Sequence, residues 1–279
     1  MPDSLLSAFD RFVPKDGASR QIAADLAYGP DPRHRLDLYA PRNAGAAPLP
    51  LLVFAYGGGW NSGTRSEYHF AGRAFAALGF LCAVADYRVH PQVHFPDFVD
   101  DLGRAASFVA AEAGRYGGDP ERVVLAGHSS GAYNAVMLGL DPARFSAPDL
   151  VGRIEAVVGL AGPYDFYPFD VKESIDAFAR APDPERTQPV NLVTSAAPPM
   201  ALLHGVRDTL VGDYHTVRLA QKLRLAGVPV LERHYPSLRH AELVLGLARP
   251  LRSVWPVWRD VADYLRPRAI HPTSGGQSR

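Results

Sequence analysis

The pentapeptide Gly127-His128-Ser129-Ser130-Gly131 constrains this chain more than any other feature, because of what flanks it. Before it, Val123-Val124-Leu125-Ala126 is an apolar run of strand length. After it, Ala132 to Leu138 reads as a helix. A serine between the two, with a glycine two places away on each side, suits a sharp strand-to-helix turn. The glycines let neighbouring backbone approach, and the central residue is held strained with its hydroxyl pointing out of the sheet. Composition alone would yield about 0.1 such matches by chance in a chain this long. Placement and the remaining motifs therefore carry the argument.

The rest of the chain supplies a matching frame. Leu36-Asp37-Leu38-Tyr39, Leu49 to Tyr56, Phe80 to Ala85, Ile154 to Leu160, Pro199 to Leu203 and Val228 to Tyr235 read as further strands. Residues 70–78, 96–116, 214–226 and 254–265 read as helices. Near-continuous apolar strands alternating with helices predict an α/β chain with a mostly parallel sheet covered on both faces. No internal linker shows, so residues 1–267 are expected to form a single domain. Within it, residues 1–22 are read as a leader helix and loop. Residues 162–199 form a short, Pro-rich insertion, and 268–279 a frayed tail.

Composition removes several function classes. Formal charge is zero and no basic stripe occurs, so neither nucleic acid nor an anionic membrane is an expected partner. The start Met1-Pro2-Asp3-Ser4 carries no signal-peptide pattern, no window reaches membrane-spanning length, and the expected compartment is the cytoplasm. Cys82 is the only cysteine, sits in an apolar run, and is expected to be a small buried hydrophobe. With no His-Glu-x-x-His pattern or paired-cysteine spacing, no metal site is expected.

A serine hydroxyl becomes a nucleophile only beside a base, usually an imidazole that a carboxylate orients. Chemistry in such sheets gathers in loops at the carboxyl ends of the strands, here in the order serine, acid, histidine. The loop after Leu202-Leu203-His204-Gly205 carries Asp208, and the loop after Tyr235 carries His240. Asp208 is the leading candidate acid, with Asp165 and Asp213 as alternatives. His240 is the leading base, while His234 and His204 lie in or at strands and His128 should point away from Ser129. Tyr56-Gly57-Gly58-Gly59-Trp60 ends an apolar strand with amides that no side chain covers. Together with the amide of Ser130 they are candidates for stabilising an oxyanion. A phosphate loop is excluded, since no GxGxxG or P-loop lysine pattern follows.

With these motifs, Asp86-Tyr87-Arg88 and Phe95-Pro96 included, residues 25–265 resemble an α/β-hydrolase of the hormone-sensitive-lipase-like group. That group includes small carboxylesterases and aryl formamidases. The resemblance implies an eight-stranded α/β-hydrolase sheet with a short partial cap and a catalytic triad of Ser129, Asp208 and His240. It puts the oxyanion hole at the amides of Gly58, Gly59 and Ser130, and Asp86 and Arg88 in structural roles. No cofactor is implied. The expected partner is a small-molecule ester, turned over through an acyl-enzyme; the alternatives are an aryl formamide or binding without turnover. A homodimer is compatible with the resemblance. Trp60 and Tyr164 are the candidate substrate contacts. The insertion, rich in Tyr164, Phe166, Tyr167, Phe169 and Phe178, either packs on itself or forms a partial cap over the cleft, with the leader beside it. One departure stands out: the family usually has histidine where this chain has Tyr56. A tyrosine can donate a hydrogen bond and fill space, so the oxyanion hole should persist with an altered loop.

Overall fold

The computed structural model describes residues 5–269. In chain order the main elements are α1 (Leu5–Phe12), β1 (Ser19–Ala27), β2 (Arg35–Pro41), β3 (Leu49–Ala55), α2 (His69–Ala77), β4 (Leu81–Ala85), α3 (Asp97–Glu112) and β5 (Gly118–His128). There follow α4 (Ser130–Leu140), β6 (Ile154–Leu160), α5 (Lys172–Phe178), β7 (Met200–Gly205), α6 (Tyr214–Leu225), β8 (Val230–Tyr235), α7 (His240–Leu245) and α8 (Val257–Ala269). The eight strands form one sheet in the order β1-β2-β4-β3-β5-β6-β7-β8. β1 and β2, and β2 and β4, pair antiparallel; every later pair is parallel. This is the α/β-hydrolase sheet.

Burial explains why the central strands read so clearly. Leu51 to Ala55 of β3 and Val123 to Leu125 of β5 are completely buried, as strands covered on both faces must be. α2 and α8 meet through Phe75 and Trp258, with ring centroids 6.0 Å apart. α3 packs against α4 and β5. The register then sets the site. Ala55 of β3 is level with Gly127 of β5, Gly127 with Gly159 of β6, and Gly159 with Leu202 of β7. The loops that follow these strands therefore leave the sheet at one edge.

Two expectations need correction. The leader is shorter than read: α1 ends at Phe12, and residues 19–27 form the edge strand β1. Its register against β2 shifts between Gln21 and Ala23 and again between Ala23 and Leu26, and Asp25 has φ 56°. Two irregularities in nine residues destroy the period-two alternation by which an edge strand is recognised. At the other end, α8 continues to Ala269, so residues 268 and 269 are helical; the rest of the expected tail, 270–279, lies outside the described residues. The insertion contains the helix α5, whose Phe178 is completely buried and touches Trp60, Phe95, Phe98, Tyr133, Phe166 and Phe169. The amide of Phe95 donates to the carbonyl of Ala177 at 2.9 Å. The segment is thus fastened to the body through Phe178, whose ring also meets Phe166 and Phe169 of the insertion itself.

Candidate active site

Ser129 stands at the junction of β5 and α4 with φ 55° and ψ −125°, a region a side-chain-bearing residue rarely adopts. Close backbone approach maintains it. A Cβ on Gly131 would come within 2.2 Å of the carbonyl oxygen of Ala55, and one on Gly127 within 2.3 Å of the carbonyl oxygen of Gly131. The Ser129 amide donates to Leu160 O at 2.8 Å, fixing the turn to the neighbouring strand. Ser129 is half-buried, whereas Ser130 is buried. The glycine spacing of the pentapeptide is therefore a steric requirement of this turn.

Asp208 lies in the loop after β7 with its side chain fully buried and both carboxylate oxygens engaged. Oδ1 accepts the amides of Leu210 and Val211, each at 2.9 Å. Oδ2 lies 2.7 Å from Nδ1 of His240 and 3.3 Å from Nε2 of His204. Burial alone would raise its pKa, but the two imidazoles and the Val211 amide outweigh burial and hold the carboxyl well below its usual range. Because an ionised carboxylate only accepts, the proton of His240 resides on Nδ1, leaving Nε2 as a free base. Of the three candidate acids, Asp208 alone bonds His240. Asp165 pairs with Arg218 at 2.7 Å and Asp213 sits 3.4 Å from His234.

Two histidines set aside by sequence reasoning hold the others in place. His204 is fully buried, with Nδ1 2.9 Å from the Thr216 hydroxyl and Nε2 2.9 Å from the Val211 carbonyl. A carbonyl and a carboxylate both face Nε2, so that nitrogen carries the proton and the Thr216 hydroxyl donates to Nδ1. His128 reaches toward His240. Its Nε2 is 3.1 Å from the His240 carbonyl oxygen and its ring lies 4.8 Å from the His240 ring. That contact brings His240 beside the residue preceding Ser129. The Ser129 side chain itself makes no hydrogen bond among the described residues. The signal for both supporting histidines was adjacency: His204 lies four residues before Asp208 and His128 one before Ser129.

Burial, aided by the neighbouring His240, pushes the pKa of His128 down to about 3, and burial beside His204 pushes His215 down to about 4. Both stay neutral when folded and take up protons when unfolded below about pH 6.5. Their contribution to stability is thus complete above that value and is lost as pH falls toward the folded pKa values. Urea unfolding at pH 5.0 should therefore show stability lower than at pH 7.5 by about 2 kcal/mol or more. Equal stability at the two pH values would contradict these buried neutral histidines.

The glycine loop after β3 lies against the start of α4: a Cβ on Gly57 would come within 3.0 Å of the Ser129 Cβ. Gly58, with φ 151°, passes so near Ser62 that a Cβ would meet its carbonyl oxygen at 2.2 Å. Among the described residues, the amides of Gly58, Gly59 and Ser130 donate no backbone hydrogen bond. Tyr56 does not serve as the expected donor to this loop. Its ring is stacked between those of Tyr68 and Tyr87, at 5.5 and 4.8 Å, and its hydroxyl lies 2.7 Å from Nη2 of Arg33. Arg33 also donates to the carbonyls of Gly63 and Tyr87, and the Tyr87 hydroxyl donates to the Tyr56 carbonyl. Sequence reasoning missed Arg33, because nothing local to it signals a target 23 residues onward. Asp86 receives Arg65, and Arg88 forms a two-pronged pair with Asp101, which makes both structural.

Trp60 and Tyr164 do not sit as substrate contacts. Trp60 is only 4% exposed, wedged between Phe98, Tyr133, Phe166 and Phe178, and its indole N–H donates to Asn134 at 3.1 Å. Tyr164 is fully buried against Gly159 and Gly162. Aromatic residues after a glycine loop look alike whether they face ligand or core. Among the described residues, no group of three or more His, Cys, Asp or Glu could hold a metal ion, and no helix is long and apolar enough to cross a membrane. Cys82 is buried, which raises its thiol pKa.

Residues 36–223 match the BD-FAE family model. The chain is 30% identical over 275 residues to an isoprenylcysteine alpha-carbonyl methylesterase of Arabidopsis thaliana, covering 91% of this chain and 62% of that protein. It is 30% identical over 219 residues to the esterase LipC of Mycobacterium tuberculosis, covering 71% of this chain and 54% of the relative. The chain thus spans less than two thirds of the length of these two relatives. Among solved structures, esterase B from Lactobacillus rhamnosis superposes with a TM-score of 0.79 at 17% identity, over 94% of this chain and 91% of that one. A truncated carbohydrate esterase from gut microbiota gives 0.76 at 19% identity, over 92% of this chain and 99% of that one. At such identities the likeness speaks to the fold.

Proposed function

Since the chain belongs to the BD-FAE family of α/β-hydrolases, we propose that it is a serine carboxylesterase that hydrolyses small acyl or aromatic esters. The observation that carries this reading is the 2.7 Å contact between Asp208 and Nδ1 of His240, next to a strained serine at a strand-to-helix turn. His240 Nε2 takes the Ser129 proton as Oγ attacks the ester carbonyl. The oxygen that turns negative is received by the amides of Gly58, Gly59 and Ser130, and the imidazolium returns the proton to the leaving alcohol. Water, deprotonated by the same imidazole, then releases the acid. Asp208 stays ionised throughout and stabilises the imidazolium.

The buried aromatic cap favours compact acyl or aromatic groups over long lipids. The small-molecule ester is the only partner that this chemistry requires, and cytoplasmic residence is part of the same reading, supported by a chain whose lone cysteine is buried. The test is a panel of nitrophenyl esters of rising acyl length, with an isoprenylcysteine methyl ester and N-formylkynurenine as further substrates. Highest kcat/KM on a short-chain ester is expected. A preference for the formamide by an order of magnitude would instead make the protein an aryl formamidase. Failure of Ser129 to react with a fluorophosphonate probe would leave only a binding role.

A further inference from the structure

One charged side chain stands beside the proposed oxyanion hole, and the mechanism above gives it no role. Glu173, on the exposed side of α5, approaches the glycine loop so closely that a Cβ on Gly59 would meet its Cγ at 3.1 Å and its Cβ at 3.6 Å. The helix that carries it cannot drift freely. Ser174, Ala177 and Phe178 are buried, Phe178 meets Trp60 edge-on at 4.7 Å, and the Ala177 carbonyl receives the Phe95 amide. Among the described residues the Glu173 carboxylate makes no ion pair or hydrogen bond, and the adjacent Lys172 is engaged with Asp176. An acid whose nearest cation, Lys172, bonds Asp176 instead is thus held with its stem against the loop proposed to carry the oxyanion donors.

We propose that Glu173 is a specificity-determining residue that repels anions from the oxyanion hole, which favours release of the carboxylate product and disfavours esters bearing a free acid. The proposal rests on the serine-esterase reading. The donors that stabilise a developing oxyanion also hold the carboxylate formed at the end of each turnover, so an esterase with a good hole risks retaining its own product. A fixed negative charge beside Gly59 opposes the full charge of that product, while the neutral ester feels it only weakly. The same charge also opposes the developing oxyanion, and because Glu173 is exposed solvent screens both effects.

Glu173→Gln keeps the shape of the side chain and removes its charge; Glu173→Asp keeps the charge. Inhibition of nitrophenyl butyrate hydrolysis by butyrate and by uncharged butyramide would be measured at constant ionic strength. In Glu173→Gln the inhibition constant for butyrate should fall about threefold to tenfold, with that for butyramide unchanged and Glu173→Asp close to the parent. The advantage of a neutral ester over the corresponding hemisuccinate ester should narrow by a similar factor. Unchanged butyrate inhibition, or butyrate and butyramide constants that move together, would overturn the charge filter while leaving the esterase intact. A parent protein whose Ser129 neither reacts with fluorophosphonate nor turns over any ester would overturn both readings.

Discussion

Ser129→Ala should lower kcat on a short-chain nitrophenyl ester by about 10⁴-fold to 10⁶-fold while the protein stays folded. The size of the effect follows from what remains. Without the hydroxyl no acyl-enzyme can form, and His240 is left to activate water directly, helped only by binding and by the amide donors. The fold should tolerate the change, because the Ser129 side chain makes no hydrogen bond among the described residues and the strained backbone is imposed from outside. Steady-state kinetics, fluorophosphonate labelling and circular dichroism on the same preparation would check it. Substantial residual turnover from a folded variant would remove Ser129 from its role.

Asp208→Asn should cost about 10⁴-fold in kcat, and its partners explain why so small a change is so harmful. On one side Oδ1 faces two amide N–H groups, and on the other Oδ2 faces the two imidazoles. An asparagine must turn its NH2 toward one side, where donor meets donor. Turned to the amides, it leaves two buried N–H groups unsatisfied. Turned to the imidazoles, it forces His240 to accept at Nδ1 and carry its proton on Nε2, so the base can no longer receive one from Ser129. The loss should be concentrated in kcat, with KM for a neutral ester little altered. A variant retaining more than a tenth of the parent kcat would mean that the acid is elsewhere.

How much of this was legible beforehand depended on how local the signal was. β3, β4, β5 and β6 announce themselves as apolar runs because both faces of the sheet are covered. The pentapeptide and the two loop ends bearing Asp208 and His240 were readable because topology fixes their order along the chain. What stayed hidden was relational. The bulges of β1 erased its alternation, and a buried Trp60 has the same local sequence as a ligand-facing one. Glu173 reaches the glycine loop only through the packing of Phe178, a contact between residues more than a hundred positions apart. His204 and His128 were visible as residues, but their tasks depend on which atoms of Asp208 and His240 face them.

The tyrosine in place of the usual histidine before the glycines brings a dependence of its own. The guanidinium that meets it comes from Arg33, in the turn between β1 and β2, ahead of the segment that matches the family. An accessory antiparallel edge thereby becomes a guy-rope for the glycine loop. Tyr56 and Arg33 thus act as one unit, and trimming the first ribbon should slacken the glycine loop without touching Ser129, Asp208 or His240.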